Sequence, residues 1–371
     1  MHPVSAPTSC RSPRRRVAGS VILLVLVTVL LAAFLLTKFV ARAGTELLAD
    51  ARAGEQARLR REAYSALEAT LAVLADISAI DNGLHSPAQG WAGSLEFAGY
   101  TPGDGRKVDV TIEDESGKVS LPAADAATLE ALLVLLGLDR PEAERVSDAL
   151  LVWTREDHVP GSLEADGSNY ERAALPYRPA WRPLRSFGEL AAIETVKEYF
   201  FDETGRPTSL AREFQATASL YAFAQINLNT ASPVVLAVGG LGVEQIDALA
   251  GHARRQQTAG RADYFRATSD VTAILGANAS LEKFGVEVRA LRITVTVRGG
   301  AVVYRLSAVV APPGGANLAV APPRDSPTPT EPPQESTTVT IKKLDYPFKV
   351  LEIRENLESI AAPPTDSLPH D

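Results

Sequence analysis

The chain has 371 residues, 46% of them hydrophobic and 22% charged, a balance that supports two or three folded domains and excludes disorder throughout. The single cysteine, Cys10, excludes an intramolecular disulfide, a cysteine zinc cluster and a CxxC pair, and the five scattered histidines show no metal-helix spacing. Residues 1–40 carry five of the 37 bases (Arg11, Arg14, Arg15, Arg16 and Lys38) and no acid, so the remaining 32 bases face 45 acids and sum to −13. That sign argues against a nucleic-acid-binding domain.

Residues 17–37 form 21 consecutive uncharged positions rich in Val, Leu, Ile and Ala. As a helix they span about 30 Å, the thickness of a hydrocarbon core. The arginines before them predict a cytoplasmic N-terminus and one retained transmembrane helix. The junction Arg15-Arg16-Val17-Ala18-Gly19-Ser20 resembles a type IV prepilin leader, which a prepilin peptidase cuts after the glycine. Read without that likeness, Gly19 is a small residue at a membrane edge. Beyond the span, Leu47, Leu59, Ala63, Leu67, Leu71 and Leu74 make an amphipathic stripe between charged residues, predicting that the helix continues to about residue 80. Gly44 and Gly54 are its expected weak points.

Residues 81–87 are turn-rich and end the helix. Alternating runs at 94–100, 107–113 and 118–121 predict short strands. The period turns helical over 125–153, where Pro141 follows Asp139 as a helix start. Helical patterns return at 186–224 and 231–257, and strand-like runs follow at 287–297 and 301–311. Residues 312–333 hold eight prolines and read as a linker, and 346–354 as a last strand. The order predicts an α+β fold with a helical insertion. The stretch from Val119 to Leu138 is echoed from Ile226 to Gly242: an extended piece, a capped helix, a glycine turn and a second helix.

Two regions hold candidate chemistry. The second echo, with Gly240-Leu241-Gly242 and Arg254-Arg255, resembles a helix-hairpin-helix, in which glycine-turn amides bind phosphate. Here Glu244 and Asp247 follow the turn and would repel phosphate, so a structural hairpin is expected. The acidic stretch 154–170 offers Asp157, Glu164 and Asp166, oxygen donors of the kind calcium takes, without EF-hand spacing. A solvated loop is the other reading. No carboxylate pair or nucleophile stands out, and the chain is not expected to be an enzyme.

Taken together, the basic leader, Ile112-Glu-Asp-Glu-Ser-Gly-Lys-Val119, Pro176-Tyr-Arg-Pro179, Phe187-Gly-Glu-Leu190, Ile226-Asn-Leu-Asn-Thr-Ala231 and the closing Tyr346-Pro-Phe-Lys-Val-Leu-Glu-Ile-Arg354 resemble the general secretion pathway protein K family, the large minor pseudopilins of type II secretion systems. The resemblance implies a pseudopilin fold, a long N-terminal helix on an antiparallel sheet, interrupted by an α-helical domain with two SAM-like or helix-hairpin-helix-like subdomains. The implied domains are a leader at 1–19, the transmembrane helix at 20–40 and the pseudopilin helix with first strands at 41–121. The inserted domain at 122–285, strands at 286–311, a Pro-rich linker at 312–340 and a final strand and tail at 341–371 complete them. It further implies cleavage between Gly19 and Ser20 by prepilin peptidase, N-terminal methylation, an inner-membrane anchor and a periplasmic soluble part. The implied partners are the minor pseudopilins I and J at the pseudopilus tip, along with other pseudopilins, in support of protein export. The family's calcium pattern, Asp-Trp-Ile-Asp-x-Asp aligned on Trp153, meets Val152 and Arg155 in place of its first two aspartates and keeps Asp157. With Glu164 and Asp166 as the other candidates, calcium binding is expected to be weak or lost. The alternative function is a membrane-anchored helix-hairpin-helix protein of DNA binding or uptake.

Overall fold

No proline interrupts the chain between Ala18 and Asp81, and α1 (Ala18–Asp81) is a single helix of 64 residues, continuous through Gly44 and Gly54. The computed structural model describes residues 18–103, 105–159, 161, 170, 177–258, 264–276, 279–300, 302–318 and 347–359. The chain divides into two compact units, 1–58 and 59–371. In the first, the apolar side chains from Ile22 to Val40 stand exposed, and the helix is long and apolar enough to cross a membrane. The helix stops where Asn82 and Gly83 take positive φ angles of 57° and 145°, and the Gly83 amide donates back to the Ser78 carbonyl at 2.9 Å. A left-handed residue with a bond reaching back five positions is the usual helix stop.

In the second unit, Leu59, Ala63, Ala66, Leu67, Leu71 and Leu74 recur every three or four residues on α1 and are all buried. They pack on one face of an antiparallel sheet. After α2 (Ser94–Phe97) comes the first strand, β1 (Arg106–Asp114). The two-residue β2 (Val119–Ser120) then leads into the helical part. That part holds α3 (Ala126–Leu135), α4 (Arg140–Thr154), α5 (Glu194–Phe200), α6 (Ser209–Thr217), β3 (Ala218–Ser219) and β4 (Ile226–Asn227). It continues through α7 (Pro233–Val238), α8 (Val243–Thr258), α9 (Thr268–Leu275) and β5 (Phe284–Gly285). The chain then returns to the sheet as β6 (Leu291–Gly299), β7 (Val302–Ala311) and β8 (Lys349–Ser359). The sheet order is β1-β6-β7-β8, with Ile112 opposite Ile293 and Val295 opposite Leu306. On β6, Leu291, Ile293, Val295 and Val297 are fully buried and alternate with half-exposed Arg292, Thr294 and Thr296, the pattern of a sheet covered on one face. Each such buried side chain contributes about 1.5–3 kcal/mol.

A second core lies within the helical part, where Leu132, Leu133, Ile193, Phe200, Phe214 and Phe284 are essentially inaccessible. The echo read from the sequence has a geometric counterpart there. Gly137 and Gly240 both adopt φ +105°. After each, the next residue closes the turn in the same way: Leu138 N donates to Leu133 O and Leu241 N to Leu236 O, both at 3.1 Å. Asp125 caps α3 and Ser232 caps α7. Each helix pair is flanked by a two-residue parallel pairing, β2 before and β3 after the first, β4 before and β5 after the second.

Two local expectations fail. Residues 94–100 do not form a strand: Ser94–Phe97 is a helical turn set between left-handed Gly90 and Gly99, too short a run to pair. The run at 118–121 does contain a strand, β2, which pairs in parallel with β3 outside the main sheet. The helical pattern at 186–224 is broken into a 3-10 segment, two short helices and extended chain. Of the proline-rich stretch, residues 319–346 lie outside the described residues.

The last strand is fastened by charge as well as by its ladder. Glu355 on β8 accepts from Arg60 Nε at 2.9 Å, Arg60 Nη2 at 2.8 Å and the Tyr64 hydroxyl at 2.6 Å. These donors hold its carboxyl down at about 2, against an ordinary 4.5. A depressed carboxylate contributes stability above its unfolded pKa and loses it as pH falls through the folded one. Glu355→Gln is therefore expected to destabilise the protein at neutral pH and to match wild type near pH 2, the gap closing between about 4.5 and 2. Denaturant unfolding at a series of pH values checks this, and a gap independent of pH would contradict it.

Candidate functional site: a buried carboxylate joint

The two motifs that stand out in the sequence, 112–119 and 226–231, meet where the sheet hands over to the helical part. Strand β1 ends at Asp114, and a 3-10 turn, Glu115–Gly117, follows. One Asp114 oxygen accepts from the Ser116 amide at 2.8 Å and from the Ser116 hydroxyl at 2.5 Å. The other accepts from Asn227 Nδ2 at 2.7 Å and from the Thr230 hydroxyl at 2.6 Å. Asp114 is buried and Asn227 fully so. Burial pushes the Asp114 carboxyl above its usual range, and the donors from Ser116, Thr230 and Asn227 oppose that rise. A buried carboxylate is tolerated only when its lone pairs are met in this way.

The joint extends outward from Asn227, whose amide also donates to the His85 carbonyl at 2.9 Å. Asn229 Nδ2 donates to the carbonyls of Phe265 and Val286 at 3.0 and 2.9 Å, and its oxygen accepts from the Phe265 amide at 2.7 Å. The His85 ring lies 2.9 Å from the Val286 carbonyl and stacks on Tyr264. Gly117 is required by closeness: a Cβ there would stand 2.5 Å from Thr230 Oγ1 and 3.0 Å from the Thr230 carbonyl carbon. Beside it, Glu115 accepts from Arg292 Nε at 2.6 Å and from the Ser219 hydroxyl at 2.8 Å. Lys118 bridges Glu113 and Glu115. Asp114 and Glu115 thus each face partners on another segment. The arrangement holds two halves of a fold together.

Of the three candidate calcium residues, only Asp157 is among those described. Asp157 is exposed, Glu164 and Asp166 lie outside the described residues, and Arg155 turns away to donate to the Ala124 carbonyl at 2.5 Å. Among the described residues no three His, Cys, Asp or Glu side chains could share a metal ion. Gly19 and Ser20 fall in the first turn of α1. At the second glycine turn, α8 opens with Glu244 in its first turn, which places negative charge where a phosphate would sit. The sequence reading missed Asp148, a buried carboxylate on α4. It lies among apolar residues at helical spacing, and nothing local distinguishes it.

Residues 111–204 match the family model described as Type II secretion system (T2SS), protein K. No curated protein matches the chain in sequence. Among solved structures, the chain is similar to one from the GspK-GspI-GspJ complex of the enterotoxigenic Escherichia coli type 2 secretion system. The TM-score is 0.54 at 16% identity, covering 82% of this chain and 99% of that one. The structural likeness gives the fold: mixed helix and sheet, with an apolar N-terminal helix and an antiparallel sheet. Together the two comparisons bear out the resemblance to general secretion pathway protein K.

Proposed function

We propose that this chain, whose residues 111–204 carry the type II secretion protein K match, is a minor pseudopilin at the tip of a secretion pseudopilus. The observation that carries the reading is the Asp114 joint, whose Asp114 side lies in the matched segment and which locks a helical part onto a pseudopilin-like helix and sheet. The first part of α1 anchors the protein in the inner membrane with its N-terminus cytoplasmic, and the unit from Leu59 onward is periplasmic. The two glycine-turned helix pairs are its SAM-like or helix-hairpin-helix-like subdomains, serving as bulk rather than as phosphate binders. In this reading the protein joins minor pseudopilins I and J, in keeping with its similarity to a chain of the GspK-GspI-GspJ complex, and nucleates or caps assembly in support of export. Its work is steric and requires no catalysis. After cleavage, Leu24 would be the fifth residue, where most pseudopilins carry a glutamate that pairs with the N-terminal amine of the subunit above. A subunit without that carboxylate has no neighbour above to serve. A DNA-uptake role is disfavoured by Glu244 and by the net −13 beyond residue 40.

Processing tests the anchor half of this reading. Edman sequencing of the membrane-extracted protein is expected to begin Ser20-Val21-Ile22, and Gly19→Leu to leave the leader attached because a bulky side chain blocks a site shaped for a small one. An intact Met1 terminus on the mature wild type would contradict it. The tip position is tested by the pseudopilins with which the chain co-isolates.

A further inference from the structure

We propose that the segment following α4 is fastened by a metal-free clasp between Asp148 and His158, so that the helical part keeps its fold without calcium. The inference rests on geometry alone and stands whether or not the protein works at a pseudopilus tip. Asp148 sits on α4, its side chain 9% exposed, and both of its oxygens are engaged. Oδ1 lies 2.9 Å from His158 Nε2 and Oδ2 accepts from the Gly161 amide at 2.7 Å. The approach is close: a Cβ on Gly161 would stand 3.3 Å from Asp148 Oδ2 and 3.8 Å from Glu144 Oε1. Glu144 is the acidic neighbour on the same helix, so the imidazole and the amide enter a region of negative charge that would otherwise attract a cation.

Among the described residues, the donor set around Asp148 does not fit calcium, the metal that the family pattern implies. Calcium takes six to eight oxygens. Here His158 Nε2 and the Gly161 amide, both nitrogens, are held against the Asp148 oxygens, and both would have to leave before a metal could reach the carboxylate. Arg155, where the pattern has an aspartate, is held by the Ala124 carbonyl, and Asp157 points into solvent. A carboxylate that in a metal site would be a ligand is used instead as a hydrogen-bond acceptor. The chemistry is a substitution of donors for a cation: His158 and Gly161 supply the positive dipoles and pin the chain ten and thirteen residues beyond Asp148.

The test uses the full chain in detergent, with thermal unfolding recorded in calcium chloride and in EGTA, and amide hydrogen exchange followed around His158. The wild-type midpoint is expected to be the same in both solutions. His158→Ala should lower it by about 3–6 °C, from the usual cost of losing a charge-assisted hydrogen bond, and speed exchange in that segment. His158→Gln, whose amide can donate to the same oxygen, should restore most of both. A calcium-dependent rise of the wild-type midpoint would overturn the proposal. So would a His158→Ala protein unchanged in midpoint and exchange.

Discussion

Asp114→Ala is expected to destabilise the protein by about 3–5 kcal/mol, the range seen when one partner of a buried polar network is removed. The substitution removes the acceptor for four donors, from Ser116, Asn227 and Thr230. These donors are held by the backbone of two different segments and cannot swing to water without moving the chain. Asp114→Asn is expected to fall between alanine and wild type. Its amide nitrogen must face donors on one side, so at least one pair is lost while the volume is kept. Urea unfolding of the purified protein checks both, and a loss under about 1 kcal/mol for alanine would mean that the joint is ordinary turn capping.

Gly239→Ala is the second large effect, expected at about 2–4 kcal/mol from overpacking. A Cβ at this position would lie 2.1 Å from Cζ and 2.7 Å from Cε1 of Phe284, and Phe284 is 1% exposed, so the ring has nowhere to go. Backbone strain plays no part, because Gly239 has φ −68°. Two comparisons isolate the cause. Gly242→Ala, whose Cβ would meet only Gln245 Oε1 at 3.8 Å, should be close to neutral. Phe284→Leu should recover part of the loss in the double variant, a coupling expected of residues in direct contact. Additive losses would contradict the steric account.

The parts of this fold legible in the sequence are those written in local periodicity. The long α1, the strand-like runs of β1, β6 and β7 and the glycine-turned helix pairs follow from patterns a few residues wide, and they hold in the structure. Residues 94–100 misled because alternation over a handful of positions does not separate a strand from a turn between glycines. The motifs at 112–119 and 226–231 were visible, but their meeting was not: Asp114 and Asn227 are 113 positions apart. The same holds for Arg60 with Glu355 and Tyr221 with Glu352. Polar pairs of this kind depend on where the fold brings two segments, and neither partner carries a signal of it. Asp148 is the sharpest instance, since a buried carboxylate on an apolar helix face reads like any exposed one until His158 and Gly161 are found against it.

The most direct measurement of the central claim is affinity purification of the tagged full chain from detergent-extracted membranes, with the I and J minor pseudopilins of its own genome co-expressed. The tip reading predicts a stable complex containing both partners, with the major pseudopilin absent at comparable amounts. Recovery of the chain with the major pseudopilin at fibre-like stoichiometry, and with neither minor partner, would contradict it.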